Sequence, residues 1–176
     1  VGKFPICQIV GYKNTGKTTL MQGLIRYFSK QHLQVGTLKH HGHGGEPEVV
    51  KKTDSYQHLQ AGSAMSAVQG ENQFHLMMNH TATFDIHKWI TFYHLLPVDI
   101  LLIEGYKQAE YPKIVLVREQ QDLHLLDELT NIIAVGSIND NLIANLPYFT
   151  FSLQEVNDYL PSLAAQIIDL REDPHG

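Results

Sequence analysis

Residues Gly11-Tyr12-Lys13-Asn14-Thr15-Gly16-Lys17-Thr18 follow the spacing G-x-x-x-x-G-K-[ST], the pattern of a phosphate-binding P-loop. Each fixed position answers to a chemical need. Glycine adopts backbone angles that other residues resist, so consecutive N–H groups can turn toward one anion. The loop then feeds a helix N-terminus, where unpaired N–H groups and the helix dipole favour phosphate. At this spacing Lys17 reaches the β- and γ-phosphates and the Thr18 hydroxyl becomes a Mg²⁺ ligand. Gly11, Asn14, Thr15, Gly16, Lys17, Thr18 and Thr19 are therefore the candidate nucleotide-binding residues of this segment.

A P-loop site also needs an acid at the end of a buried strand to hold Mg²⁺, directly or through water. In Val98-Asp99-Ile100-Leu101-Leu102-Ile103-Glu104-Gly105 the acid at the carboxyl end is Glu104. That edge is where ligands bind in open α/β sheets. Asp99 sits at the opposite end and reads as a tether for the start of the strand, while Gly105 lets the chain pass close to a phosphate. Lys39-His40-His41-Gly42-His43-Gly44-Gly45 begins where a second strand leaves the same edge. Three readings of it stand open: a transition-metal site, a lid that meets an anionic second substrate, or solvated loop histidines. Asp54 is either an acid that positions water or joins the Mg²⁺ shell, or an ordinary helix N-cap. With Lys17 it completes the candidate catalytic pair. Lys107 and Arg118, each at or just beyond a strand end, are candidates for further phosphate contacts.

These residues need a scaffold, and the chain alternates short apolar runs with helical patterns. That alternation predicts an α/β fold, a mostly parallel sheet with helices on both faces. Strands are expected at Pro5 to Val10, Gln34 to Lys39, Val98 to Glu104, Lys113 to Arg118 and Asn131 to Gly136. A helix with Leu20, Leu24, Ile25 and Phe28 on one face follows the P-loop and ends near His32. His40 to Lys52 has no periodicity and reads as a functional loop. A short helix from about Thr53 to Gln60 precedes a hairpin of Ala64 to Gln69 and Phe74 to Met78 around Gly70-Glu71-Asn72. Asp85 is placed to cap a helix carrying Trp89, Ile90 and Tyr93. Ser152-Leu153-Gln154-Glu155 has capping-box spacing, and Pro161 is expected to break or restart the helix that follows.

Composition narrows the function classes. With 43% hydrophobic residues in 176, the chain is expected to fold as one globular domain. No apolar run approaches the roughly 20 residues that span a bilayer, and the first residues do not read as a signal peptide. A net charge of −5 argues against a nucleic-acid partner, which calls for a basic face. The single cysteine, Cys7, leaves no intramolecular disulfide and fits a reducing cytoplasm; within its apolar run it reads as a core residue.

Five ordered blocks together resemble the molybdopterin-guanine dinucleotide biosynthesis adapter (MobB) family of P-loop proteins. They are residues 11 to 20, Gly36-Thr37-Leu38-Lys39-His40, Asp54-Ser55-Tyr56 with Ala61-Gly62, Glu104-Gly105-Tyr106-Lys107, and Pro112-Lys113-Ile114 with Arg118. The resemblance runs from about residue 5 to 140. It implies a P-loop NTPase three-layer fold and a GTP-binding protein that uses Mg²⁺, hydrolyses GTP slowly and works in molybdenum-cofactor assembly. Its partners would be molybdopterin or the nucleotidyltransferase (MobA-like) that joins GMP to it. The resemblance further implies a homodimer joined through a hairpin, for which Ala64 to Met78 is the candidate. Gly11, Gly16, Lys17 and Thr18 match the family's phosphate loop and Glu104 its Mg²⁺ acid; Lys39, His40, Asp54, Lys107 and Arg118 fall in its other blocks. No Asn-Lys-x-Asp guanine signature is present; Ser137-Ile138-Asn139-Asp140 follows a strand where one could sit.

Two other functions compete. A small-molecule kinase commonly clamps the moving phosphoryl charge with several arginines, and this chain has only Arg26, Arg118 and Arg171. A metallochaperone GTPase is suggested by the histidines at 40, 41 and 43.

Overall fold

The computed structural model describes residues 4–40, 53–79 and 85–170. Their elements run in chain order β1 (Ile6–Gly11), α1 (Lys17–Lys30), β2 (Val35–Lys39), α2 (Asp54–Gln60), β3 (Met65–Gln69), β4 (Phe74–Met78) and α3 (Ile86–Tyr93). There follow β5 (Ile100–Glu104), β6 (Lys113–Val117), a 3₁₀ turn at Gln120–His124, α4 (Leu125–Glu128), β7 (Ile132–Ser137), a 3₁₀ turn at Asp140–Leu142, β8 (Phe149–Ser152) and α5 (Val156–Asp169). His43–Trp89 forms one compact unit and the flanking segments form another.

The flanking segments build a six-stranded sheet in the order β2-β5-β1-β6-β7-β8, and every neighbouring pair is parallel. Parallel strands are covered on both faces, so they read as unbroken apolar runs; Ile-Leu-Leu-Ile in β5 and Ile-Val-Leu-Val in β6 are fully buried. Register then sorts the side chains. Cys7, Ile9, Leu102, Ile114, Leu116, Ala134 and Phe151 meet Leu20, Leu24 and Phe28 of α1 and Leu160, Leu163 and Ile167 of α5. Val10, Val115, Val117 and Val135 meet Leu125, Leu129 and Ile143 on the other face. This is the expected α/β arrangement with both faces covered. At Gly23 the two helices approach so closely that a Cβ would sit 3.2 Å from Leu160.

Asp99 tethers its strand as expected: its Oδ2 accepts from the Gln34 N–H at 2.8 Å. Asp85 caps α3, accepting from the Lys88 N–H at 3.0 Å. The C-terminal region differs from expectation. Ser152 opens no capping box; it is the last residue of β8, a strand the pattern did not show, and its Oγ accepts only from the Gln154 N–H at 3.3 Å. The N-cap of α5 is Glu155, with no side-chain bond. Pro161 lies inside α5 without ending it. An interior proline costs about 3 kcal/mol, but it sits near the helix start. The buried side chains on both sides of it, Leu160, Leu163, Ala164 and Ile167, hold the helix to the sheet.

The other unit carries α2 and the expected antiparallel hairpin, registered from Met65 opposite Met78 to Gln69 opposite Phe74. The cap of α2 is Thr53, whose Oγ1 accepts from the Tyr56 N–H at 3.3 Å. Asp54 is instead the first helical residue, an acid placed where the helix dipole favours it. Met65, Val68 and Phe74 leave the hairpin with an exposed apolar surface.

Candidate functional site

The loop between β1 and α1 is shaped by its glycines. Gly11 has φ +154°, and a Cβ there would lie 2.6 Å from the Leu116 carbonyl oxygen and 2.7 Å from Thr15 Oγ1. No side chain fits. Asn14 (φ 62°) and Gly16 (φ 94°) also take left-handed angles, which asparagine and glycine tolerate best. Thr15 is buried, and its hydroxyl donates to the Tyr12 carbonyl at 2.9 Å, bracing the loop from within.

Gly16 is the N-cap of α1 and gives it no side-chain cap, nor is there an acid in the first turn. The first N–H groups of a helix have no intrahelical partner, so this end presents open donors to an anion. Lys17 Nζ folds back to donate to the Tyr12 carbonyl. Burial lowers the Lys17 pKa; Glu104 opposes that shift, and Lys107 and Lys39 reinforce it. Thr18 and Thr19 are exposed in the same turn.

Glu104 and Lys39 are register partners on adjacent parallel strands. Their side chains therefore emerge on the same side, and Lys39 Nζ lies 3.3 Å from Glu104 Oε1. Glu104 is mostly buried and Lys39 mostly exposed. Beyond Glu104 the chain turns through Gly105 (φ 90°) and Tyr106 (φ 51°). A Cβ on Gly105 would meet His40 Cβ at 3.3 Å, so the close approach that this glycine permits is to His40. The His40 ring packs on Tyr106 with centroids 4.7 Å apart. Lys107 Nζ stands 3.7 Å above the Tyr12 ring. One sheet edge thus gathers the loop, Lys17, Lys39, His40, Glu104 and Lys107.

Arg118 follows β6 and is exposed beside the outer wall of the loop. Asp54 belongs to the other unit, at the start of α2. His41 and His43, with the rest of the loop to Lys52, lie outside the described residues. Among the described residues no group of three His, Cys, Asp or Glu is placed to hold a metal ion, and no helix is long and apolar enough to cross a membrane.

Sequence reasoning missed Gln8. It is fully buried in β1, and its Nε2 donates to the carbonyls of Gly105 (3.0 Å) and Tyr106 (2.8 Å), while its Oε1 has no partner. The signal was an amide inside an apolar strand, because burying one is costly unless it is bonded. Tyr12 was also missed. Its hydroxyl meets His124 Nε2 at 2.9 Å, linking the loop to the turn after β6.

The comparisons with known proteins bear on the family and the fold. Residues 6–138 match a family model described as "Molybdopterin guanine dinucleotide synthesis protein B". A protein of Bacillus subtilis (strain 168), described as a probable molybdopterin-guanine dinucleotide biosynthesis adapter protein, is 43% identical over 138 residues, which is 77% of either chain. The crystal structure of Bacillus subtilis MobB superposes with a TM-score of 0.80 at 35% identity, covering 93% of this chain and 98% of that one. The crystal structure of a MobB homologue from Bacillus stearothermophilus gives 0.72 at 31% identity, covering 92% and 97%. The chain matches that model over most of its length and these relatives over two thirds or more, so it belongs to the molybdopterin guanine dinucleotide synthesis protein B family.

Proposed function

We propose that this chain is a GTP-binding adapter in molybdopterin-guanine dinucleotide biosynthesis, with slow Mg²⁺-dependent GTP hydrolysis, assisting the nucleotidyltransferase that joins GMP to molybdopterin. The observation that carries the reading is the uncapped N-terminus of α1 behind a loop whose first glycine admits no side chain. The names of the relatives supply the biosynthetic setting. Backbone N–H groups of Asn14 to Thr19 receive the phosphates. Lys17 leaves the Tyr12 carbonyl for them, exchanging a neutral acceptor for an anionic one. Lys39, released from Glu104, and Lys107 neutralise the outer oxygens.

Thr18 and Glu104 would hold Mg²⁺; a hydroxyl and a carboxylate are the hard oxygen donors this ion takes alongside phosphate and water. When bound, it supplies charge neutralisation at the phosphates. Asp54 is assigned to positioning water, on the resemblance of its block alone. The exposed Met65, Val68 and Phe74 support self-association through the hairpin. The test is equilibrium binding of GTP and ATP with Mg²⁺ to the full chain. We expect GTP to be preferred at least tenfold, about 1.4 kcal/mol, and Lys17→Ala to lose triphosphate binding while keeping its thermal transition. Equal affinity for both nucleotides would remove the guanine claim, and undiminished binding by Lys17→Ala would remove the site.

A further inference from the structure

The turn that carries the chain out of β5 is held by a side chain of the neighbouring strand. Gln8 belongs to β1, an interior strand of the sheet, where its backbone is fixed opposite Ile103 of β5 and Lys113 of β6. The side chain is fully buried. The two hydrogens of its amide nitrogen go to consecutive carbonyls, those of Gly105 at 3.0 Å and Tyr106 at 2.8 Å. That geometry fixes the orientation of the amide, since the opposite one would set an oxygen against two acceptors. The Oε1 atom is left without a partner. An apolar residue would spare the strand this orphan acceptor, so what the glutamine supplies is the pair of donors.

The turn needs holding. Gly105 (φ 90°) and Tyr106 (φ 51°) both take left-handed angles, and for an aromatic residue that region is disfavoured. Strained backbone persists where its surroundings over-determine it. Here the Tyr106 carbonyl accepts from the Ala109 N–H at 2.8 Å as well as from Gln8, and the Tyr106 ring packs on His40. On either side of the held pair stand Glu104, paired with Lys39, and Lys107, whose Nζ lies over the Tyr12 ring of the glycine-shaped loop. The donor pair beneath Gly105 and Tyr106 therefore fixes where Lys107 leaves the sheet edge.

We propose that Gln8 is a positioning residue for recognition of the outermost phosphate. It acts through the Gly105-Tyr106 turn to hold Lys107 beside the loop, and so favours a nucleoside triphosphate over a diphosphate. The proposal rests on the nucleotide reading above and adds to it a residue buried away from the ligand. A glutamine that served the fold alone would weaken both nucleotides alike, or neither.

The test is equilibrium titration of the full chain with GTP and with GDP, each with Mg²⁺, for wild type, Gln8→Leu, Lys107→Met and the double variant. We expect Gln8→Leu and Lys107→Met each to weaken GTP about tenfold (about 1.4 kcal/mol) and to leave GDP within about twofold. Because Gln8 acts through Lys107, the losses should not add, and the double variant should bind GTP within about twofold of Lys107→Met. Losses that add, or a fall in GDP affinity equal to that in GTP, reduce Gln8 to a structural role and overturn the proposal. Lys107 lies outside the core, so unchanged GTP binding by Lys107→Met overturns it even where Gln8→Leu fails a thermal melt. A wild-type chain that binds neither nucleotide removes the nucleotide reading and the proposal together. A wild-type chain that prefers GTP, with Gln8→Leu unchanged, removes the proposal alone.

Discussion

The inner and outer sides of the Gly11–Thr18 loop are built by different means. The inner side offers backbone: N–H groups aimed by left-handed residues and by an uncapped helix end. Its chemistry depends on the absence of side chains, above all at Gly11. The outer side offers side chains: Lys13, Arg118 and a hydrogen-bonded Tyr12–His124 pair. The inner side should therefore be intolerant of any added Cβ, whereas the outer side has room for side-chain change. A motif can describe the first because it lies within eight consecutive residues. The second joins groups 112 residues apart and has no local signature.

Three further experiments can break or sharpen this contrast. The largest effect is expected for Gly11→Ala, whose methyl meets a carbonyl oxygen and a buried hydroxyl at under 3 Å. We expect about 2–3 kcal/mol of destabilisation, typical of severe overpacking, with loss of triphosphate binding; urea unfolding measures the first and titration the second. Unchanged stability would show that the loop tolerates a side chain after all. The second experiment replaces Gln8. Leucine removes two bonds to the carbonyls of Gly105 and Tyr106 but also an amide oxygen that has no partner, so the net cost should be about 1–2 kcal/mol. Gln8→Glu should cost more below neutral pH and more still above it, because a carboxylate would face two acceptors. A leucine variant less stable than the glutamate one would contradict this assignment.

The smallest effect concerns protons. Burial lowers the Lys17 pKa below its ordinary 10.5, and a bound phosphate favours the ammonium. The pKa therefore rises on binding, and protons are taken up in the alkaline window between the lowered and restored values. Below that window Lys17 is protonated in both states and uptake vanishes. Calorimetry in buffers of different ionisation enthalpy reads it directly; proton release at alkaline pH would reverse the sign and exclude Lys17 as the group that meets the phosphate.

Much of the fold could be read from the chain. The five expected strands of the sheet, α1 and the hairpin follow from periodicity, and Glu104 reaches the P-loop edge because β5 is parallel to β1. β8 escaped notice because Phe149–Ser152 is a short edge strand that pairs only with β7, and its four residues, with Phe149 and Phe151 alternating, are too few for a periodic signal. Pro161 misled because a local cost was weighed without the core contacts of α5. Asp54 was offered as a cap, but the residue before it takes that place.

The sequence alone determined what depends on neighbours in the chain. That comprises the glycine-shaped loop from Gly11 to Thr18, the buried strands, and an acid at a strand's end, because dihedral preferences and side-chain alternation act over a few residues. Only the tertiary structure decided that Gln8 braces a turn 97 residues away, that Lys39 sits on Glu104, and that Lys13 and Arg118 share a cavity with Glu119 and Asp122. Those pairings follow from strand order and register, which bring distant residues together through packing that no local pattern encodes.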